Sequence, residues 1–271
     1  MKFGGMLRSD FKRMFQGKSL WAAIVITAFL ILINIMPETG ADLGYGSLYY
    51  LARVRRGIGA LLVAMTALVV FPYGMSYRED LKNNYIHGLQ IRGGLNGYVW
   101  SHVLVTALSA FLVVFLGYLL CFGILSVRLP LFRSYELEDI ANRAASGTLS
   151  GFEPFLTTDA PVLYLLSSFG IEAMGYAFMA VFALMVSEKV ENAFIVMAAP
   201  VMLYYGSIFL ANIVPIPGFS AWFLIMETGG IFRDFANPWQ ILLCVFGYFV
   251  CLILIEGLVF RLWMEGRRHH G

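Results

Sequence analysis

Two carboxylates, Glu172 and Glu256, are the residues least suited to their surroundings, because each lies inside a long apolar run. An ionisable side chain at membrane depth is costly and defaults to a functional hypothesis, with a polar cavity or a partner on another helix to receive it. Glu172 stands ten residues into the run Val162–Val186 and is the deeper of the two. Glu256 stands toward the end of Ile241–Leu262, five residues before Arg261. Two readings of Glu256 are open: a cavity role, or a reach to the interface with local pairing. Acid–base hydrolysis by two carboxylates needs a proximity that spacing does not establish.

Other chemistry finds little support. The histidines His87, His102, His269 and His270 form no His-Glu-x-x-His spacing, and no Gly-x-Ser-x-Gly occurs. Cys121, Cys244 and Cys251 all sit in apolar runs, where a free thiol serves as a small hydrophobe. Gly17-Lys18-Ser19 imitates the end of a phosphate loop, but Lys12 occupies the place of the required first glycine. The expectation is therefore no catalytic, cofactor-binding or metal-binding residue in this chain. Any ATP and Mg would be bound by a separate subunit.

The elements that hold these residues follow from composition. Of 271 residues, 59% are hydrophobic and 13% charged, against about 25% charged in soluble domains. Six apolar runs, Leu20–Met36, Ile58–Met75, Val99–Val127, Val162–Val186, Ala193–Val214 and Ile241–Leu262, are continuous rather than alternating. Continuous runs of this length read as membrane-crossing helices. The expected fold is all-α: one polytopic transmembrane domain of six helices spanning residues 1–271. The first run follows a basic lead-in with no small-residue cleavage site after it, so it reads as a retained span.

Lysine and arginine orient the spans. With the N-terminus inside, twelve of the 19 basic residues, including every lysine, fall in inner segments, and seven fall outside. Both termini are thus expected in the cytoplasm. In residues 1–19, Phe3, Leu7, Phe11, Met14 and Phe15 recur at helical spacing beside Arg8, Lys12 and Arg13, which reads as an amphipathic helix against anionic membrane lipids. Residues 129–161 hold a small outer helix, with Ser134 as N-cap, Asp139 and Arg143 one turn apart, and Gly147 as its stop. Residues 216–239 contain six consecutive apolar residues, too few to span, and read as a re-entrant or interfacial segment.

The inner segment 77–98 is the most informative. Leu81, Tyr85, Ile86 and Leu89 lie at helical intervals, Glu79 and Asp80 stand near the start, and Gly93-Gly94 stops the pattern. It reads either as a passive loop helix or as a docking surface for a cytoplasmic partner. The order of basic amphipathic lead-in, span, short outer loop, span, cytoplasmic helix and long third span resembles the membrane subunit of type-2 ATP-binding cassette exporters. Tyr77-Arg78-Glu79 and Arg92-Gly93 followed by Tyr98 carry the resemblance, although Trp100-Ser101-His102 stands where that family often has a basic residue.

The resemblance implies a non-catalytic permease subunit that moves a substrate out of the cytoplasm, powered by a separate ATPase subunit. It further implies a second permease copy or a related permease chain. The cytoplasmic loop would be a coupling helix, with Arg78, Glu79, Asp80, Tyr85, Leu89 and Arg92 as the coupling residues. Glu172 and Glu256 would be candidates for the translocation cavity. The expected location is the plasma membrane of a bacterium, and nucleic acid is not an expected partner. A secondary transporter and an intramembrane enzyme are the alternatives. The substrate is not legible. A cysteine introduced at Ser146 is expected to react with an impermeant maleimide from outside the cell. Labelling only after permeabilisation would reverse the orientation.

Overall fold

In a hydrocarbon solvent a backbone satisfies its own hydrogen bonds only as a helix or a closed barrel, and this chain takes the helical solution. The computed structural model describes residues 3–39, 45–54, 59–83, 85–149, 151–157, 161–213 and 237–270, with backbone alone at 36–39, 49, 52–54, 59–62, 85–93, 211–212 and 267–270. Among these residues the elements are α1 Phe3–Gln16, α2 Lys18–Thr39, α3 Ser47–Val54, α4 Gly59–Val70, α5 Ser76–Lys82, α6 Tyr85–Ser126, α7 Ser134–Ala145, a 3-10 turn Glu153–Thr157, α8 Pro161–Val186, α9 Ala193–Ile213 and α10 Pro238–His270. Five of them, α2, α6, α8, α9 and α10, are long and apolar enough to cross a membrane, which makes this a multi-pass membrane protein. The segment expected at 216–239 lies almost wholly outside the described residues.

Local chemistry explains the boundaries. Proline begins α8 and α10, where its missing N–H is not needed. Asn192 and Asn237 cap α9 and α10, their side-chain oxygens accepting from Phe194 and Trp239 N–H groups at 2.9 and 3.0 Å. Pro72 follows soon after α4, which is 12 residues long, about 18 Å at the helical rise. α4 nevertheless packs inside the bundle, against α2, α6, α8 and α9.

Contacts order the two ends. At one end α1 lies on α6, with the Met6 sulfur 3.4 Å from where a Cβ on Gly97 would sit. At the same end Tyr77 reaches Glu188 at the close of α8 and Phe260 of α10. At the other end Glu136 of α7 accepts from the N–H groups of Gly46 and Arg133 at 2.9 and 2.7 Å, and Trp239 packs edge-on to Phe155. α8 and α10 therefore both run from the α7 end to the α1 end, and α2 and α6 run the other way.

Three local expectations take a different form. The single helix over Glu79–Leu89 is two: α5 ends at Lys82 and α6 opens at Tyr85. The stop at Gly93-Gly94 is a kink inside α6, where Gly94 adopts φ 71° and ψ 157°, open to glycine and strained for other residues. Arg133 rather than Ser134 holds the N-cap position of α7, its N–H donating to Glu136, and Arg143 pairs with Glu153 at 2.6 Å while Gly147 takes φ 66° just past the helix end.

α2 and α6 cross closely. A Cβ on Gly117 would lie 2.6 Å from the Thr27 methyl and 2.9 Å from its Cβ, whereas one on Gly123 meets nothing within 4 Å. Small residues at such crossings let backbones approach where lipid supplies no hydrophobic drive. Gly117→Leu is expected to destabilise by about 1–3 kcal/mol and to lower the melting temperature in detergent. Gly123→Leu, with room around it, should leave it within error. Equal melting of the two variants would mean that the crossing is not close.

Candidate functional site

The densest polar cluster in the described structure sits at the α1 end, where α1, α5, α6 and α8 meet. α5 has only seven residues, with Ser76, Tyr77 and Asp80 turned inward. Glu79, Leu81, Lys82 and Asn83 remain exposed and Arg78 is half-buried. Asp80 is 3% exposed, and a buried carboxylate requires partners on every open side.

Asp80 has three. Arg13 of α1 forks over two carboxylates, Nη1 to Asp80 Oδ1 at 2.7 Å and Nη2 to Glu79 Oε2 at 2.6 Å. The Tyr98 hydroxyl donates to Asp80 Oδ2 at 3.1 Å, and His102 Nε2 faces the same oxygen at 3.3 Å. The other ring nitrogen, Nδ1, lies 2.9 Å from the Ser76 hydroxyl. With its proton on Nε2 the ring turns a donor toward Asp80 and leaves Nδ1 to accept from Ser76. Beside this centre Ser101 donates to Asp10 of α1 and Tyr77 donates to Glu188. Tyr98 and His102 pack at 4.3 Å between ring centroids.

Electrostatics follow the geometry. Burial would raise the Asp80 carboxyl, but hydrogen bonds from His102 and then Arg13 outweigh it and hold the group below its ordinary value. Half-burial would lower the Arg13 guanidinium, and Asp80 reverses this and holds it above its ordinary value.

The structure distributes the sequence candidates unevenly. Glu79 and Asp80 share Arg13, and Arg78 lies beside them on α5. Tyr85, Leu89 and Arg92 lie in the first part of α6, before the Gly94 kink, where only the backbone is described. Glu172 is fully buried in α8 and accepts from the Tyr118 hydroxyl at 2.6 Å. Glu256 is elsewhere, buried in α10, and Arg261 pairs with Glu265 at 2.9 Å instead of with it. Arg13, Tyr98 and His102 are the partners that sequence reasoning missed. Their signal was the one-turn spacing of Asp10 with Arg13 and of Tyr98 with His102. The apolar residues of α1 divide between the bundle and the surface. Met6 and Met14 are buried, Leu7 and Phe11 half-buried against the core, and Phe3 and Phe15 exposed. Among the described residues no group of three or more His, Cys, Asp and Glu could hold a metal ion.

No protein-family model, no curated protein and no solved structure matches this chain.

The sign of the pH dependence follows from the lowered Asp80 group. Its stabilisation is complete above the ordinary aspartate value of about 3.9 and is lost as pH falls below that toward the folded value. Asp80→Asn should cost on the order of 3 kcal/mol, the low end for breaking a buried pair because Arg13 keeps contact with water. Its melting temperature should also vary less than wild type between pH 5 and the acid limit, a difference read by thermal denaturation in detergent. An Asn variant as stable as wild type would show that Asp80 is not the centre of the cluster.

Proposed function

We propose that this chain is the membrane subunit of a type-2 ATP-binding cassette exporter, moving a substrate outward with ATP hydrolysed by a separate ATPase subunit. In this reading α4 with its flanks completes six spans, both termini lie in the cytoplasm of a bacterial cell, and α1 lies at the inner interface. Two copies, or one copy and a related permease chain, complete the transporter.

One observation carries the reading: the loop between the second and third apolar segments is folded and anchored. α5 is tied to α1 through Arg13 and to α6 through Tyr98 and His102, while Glu79, Leu81 and Lys82 face outward. An ATPase outside the bilayer can act only on what protrudes and is held. A short helix with mixed charges and an exposed leucine suits a polar docking groove with a small apolar anchor. The same anchoring favours this reading over a passive connection, which needs no buried ion pair.

Paired substitutions test it. Leu81→Ala with Lys82→Glu, and separately Tyr85→Ala with Leu89→Ala, are expected to weaken co-purification of the ATPase at least tenfold, the effect of losing an interface anchor. Alternatively they should leave ATP hydrolysis running without transport. Both proteins should insert, since no span is altered. Wild-type ATPase association and transport in both variants would end the coupling assignment. Absence of any ATPase from the mild-detergent complex of the wild-type chain would end the exporter reading.

A further inference from the structure

The cations of α1 are divided between two faces. Met6, Asp10, Arg13 and Met14 recur four, seven and eight residues after the first and face the bundle, where Met6 meets Gly97, Asp10 accepts from Ser101 and Arg13 is neutralised by Asp80 and Glu79. Arg8, Phe11, Lys12 and Phe15 recur three, four and seven residues after the first and form the opposite face. Arg8, Lys12 and Phe15 are exposed on it, and the Phe11 and Phe15 rings stack at 6.4 Å between centroids.

α2 continues this outward surface. Lys18, Trp21, Val25 and Phe29 are all exposed and follow one stripe down the helix, while Leu20, Ile24, Thr27 and Ile31 on the other side are buried. Lys18 opens the apolar span Lys18–Ile35. The stripe therefore carries a cation at the membrane boundary and apolar side chains along the span, with Trp21 at the interfacial level that indoles favour. Among the described residues Arg8, Lys12 and Lys18 have no ion-pair partner. A hydrogen bond joins the two helices: the Trp21 indole N–H donates to the Phe15 carbonyl oxygen at 3.2 Å, one of the carbonyls left open at the end of α1. Lys12 stands one turn before Phe15 and Lys18 one turn before Trp21, so both flank this joint.

We propose that the elbow between α1 and α2 binds an anionic phospholipid, with its phosphate between Lys12 and Lys18, Arg8 beyond, and its acyl chains along Trp21, Val25 and Phe29. Charge selects this occupant. A packed protein helix would cover the apolar stripe and leave three cations unanswered. A zwitterionic lipid brings its own ammonium, which those cations repel. Near anionic lipid each basic residue strengthens binding about fivefold, and Arg13 adds nothing because the bundle already holds it. The bond from Trp21 to Phe15 makes this one seat rather than a diffuse basic surface, since it fixes the headgroup half on α1 against the tail half on α2. The inference stands apart from the exporter reading: neither the seat nor its occupant needs an ATPase.

The test uses the full chain in phosphatidylcholine nanodiscs doped with a phosphatidylglycerol that carries a diazirine in one acyl chain, with crosslinks mapped by mass spectrometry. Crosslinks are expected at Trp21, Val25 and Phe29, with unlabelled phosphatidylglycerol competing at least tenfold better than phosphatidylethanolamine. Lys12→Gln with Lys18→Gln should cut the labelling at least tenfold, the loss of two such contributions. Lys12→Arg with Lys18→Arg should retain most of it. Both pairs alter exposed side chains and should melt like wild type in phosphatidylcholine. Lys189→Gln with Arg261→Gln removes the same charge elsewhere at the α1 end and should leave the labelling unchanged; an equal loss there would mean diffuse attraction and overturn the seat. Crosslinks spread evenly over exposed helix faces, equal competition by phosphatidylethanolamine, or undiminished labelling in the Gln pair would overturn it too. Intact labelling in the Gln pair together with loss of a co-purifying soluble chain would make the outward face of α1 a protein contact instead. Failure of ATPase association leaves these outcomes unchanged, so the two readings fail separately.

Discussion

A carboxylate buried to 3% exposure at the α1 end sets the terms for everything around it. Asp80 can stay there only with donors on several sides, and α5 cannot supply them, so they come from α1 and α6. Seven residues are too few to make a stable helix alone. α5 is therefore folded because it is bonded, and α1 is seated by the same bonds together with buried Met6 and Met14. The polar centre thus fixes three elements that the hydrophobic effect cannot fix where one solvent is lipid and the other water.

Within the bilayer the helices cohere by different means. Lipid tails are as apolar as leucine, so close approach and hydrogen bonds must hold helix to helix. Gly117 lets α6 approach Thr27 of α2, and Gly257 lets α10 approach the Trp100 ring, where a Cβ would come within 2.8 Å. At mid-bundle the Tyr118 hydroxyl satisfies Glu172, and the two rings of Tyr118 and Phe169 stack at 4.7 Å beside it. At the far end Glu136 binds two backbone N–H groups and Arg143 binds Glu153. Polar contacts therefore recur at three depths, each where an apolar surface alone would leave helices free to slide.

Legibility followed the range of the interaction. The apolar runs, the Asn192 and Asn237 caps and the stop at Gly147 depend on neighbours in sequence, and they could be read there or were plain in it. Asp80 was readable as an acidic residue near a helix start, but not as buried, because its partners Arg13 and His102 lie 67 and 22 positions away. Asp139 and Arg143 had ideal i, i+4 spacing, yet Arg143 is closer to Glu153 once the 3-10 turn folds back. α1 was read as an amphipathic helix whose face of Phe3, Leu7, Phe11, Met14 and Phe15 meets membrane lipid; Phe3 and Phe15 are exposed, whereas Met14 of that face is buried in the bundle together with Met6. Tertiary partners decided each of these, and spacing along one helix carries no record of them.

The kink at Gly94 gives the α1 end two mechanical routes of different stiffness. A load on α5 reaches the bundle through Asp80, which is held by an ion pair to Arg13 at 2.7 Å, a hydrogen bond from Tyr98 at 3.1 Å and a contact with His102 at 3.3 Å. A load on the opening part of α6, from Tyr85 to Gly93, passes along the backbone to the long span through Gly94, whose φ of 71° interrupts the helical backbone. Bonds that must break cooperatively resist small displacements, while a glycine junction yields to them. A partner pressing on both segments would thus move α5, α1 and α6 beyond the kink as one body, and would rotate the opening of α6 against it. The asymmetry is a property of these residues, whichever partner supplies the force.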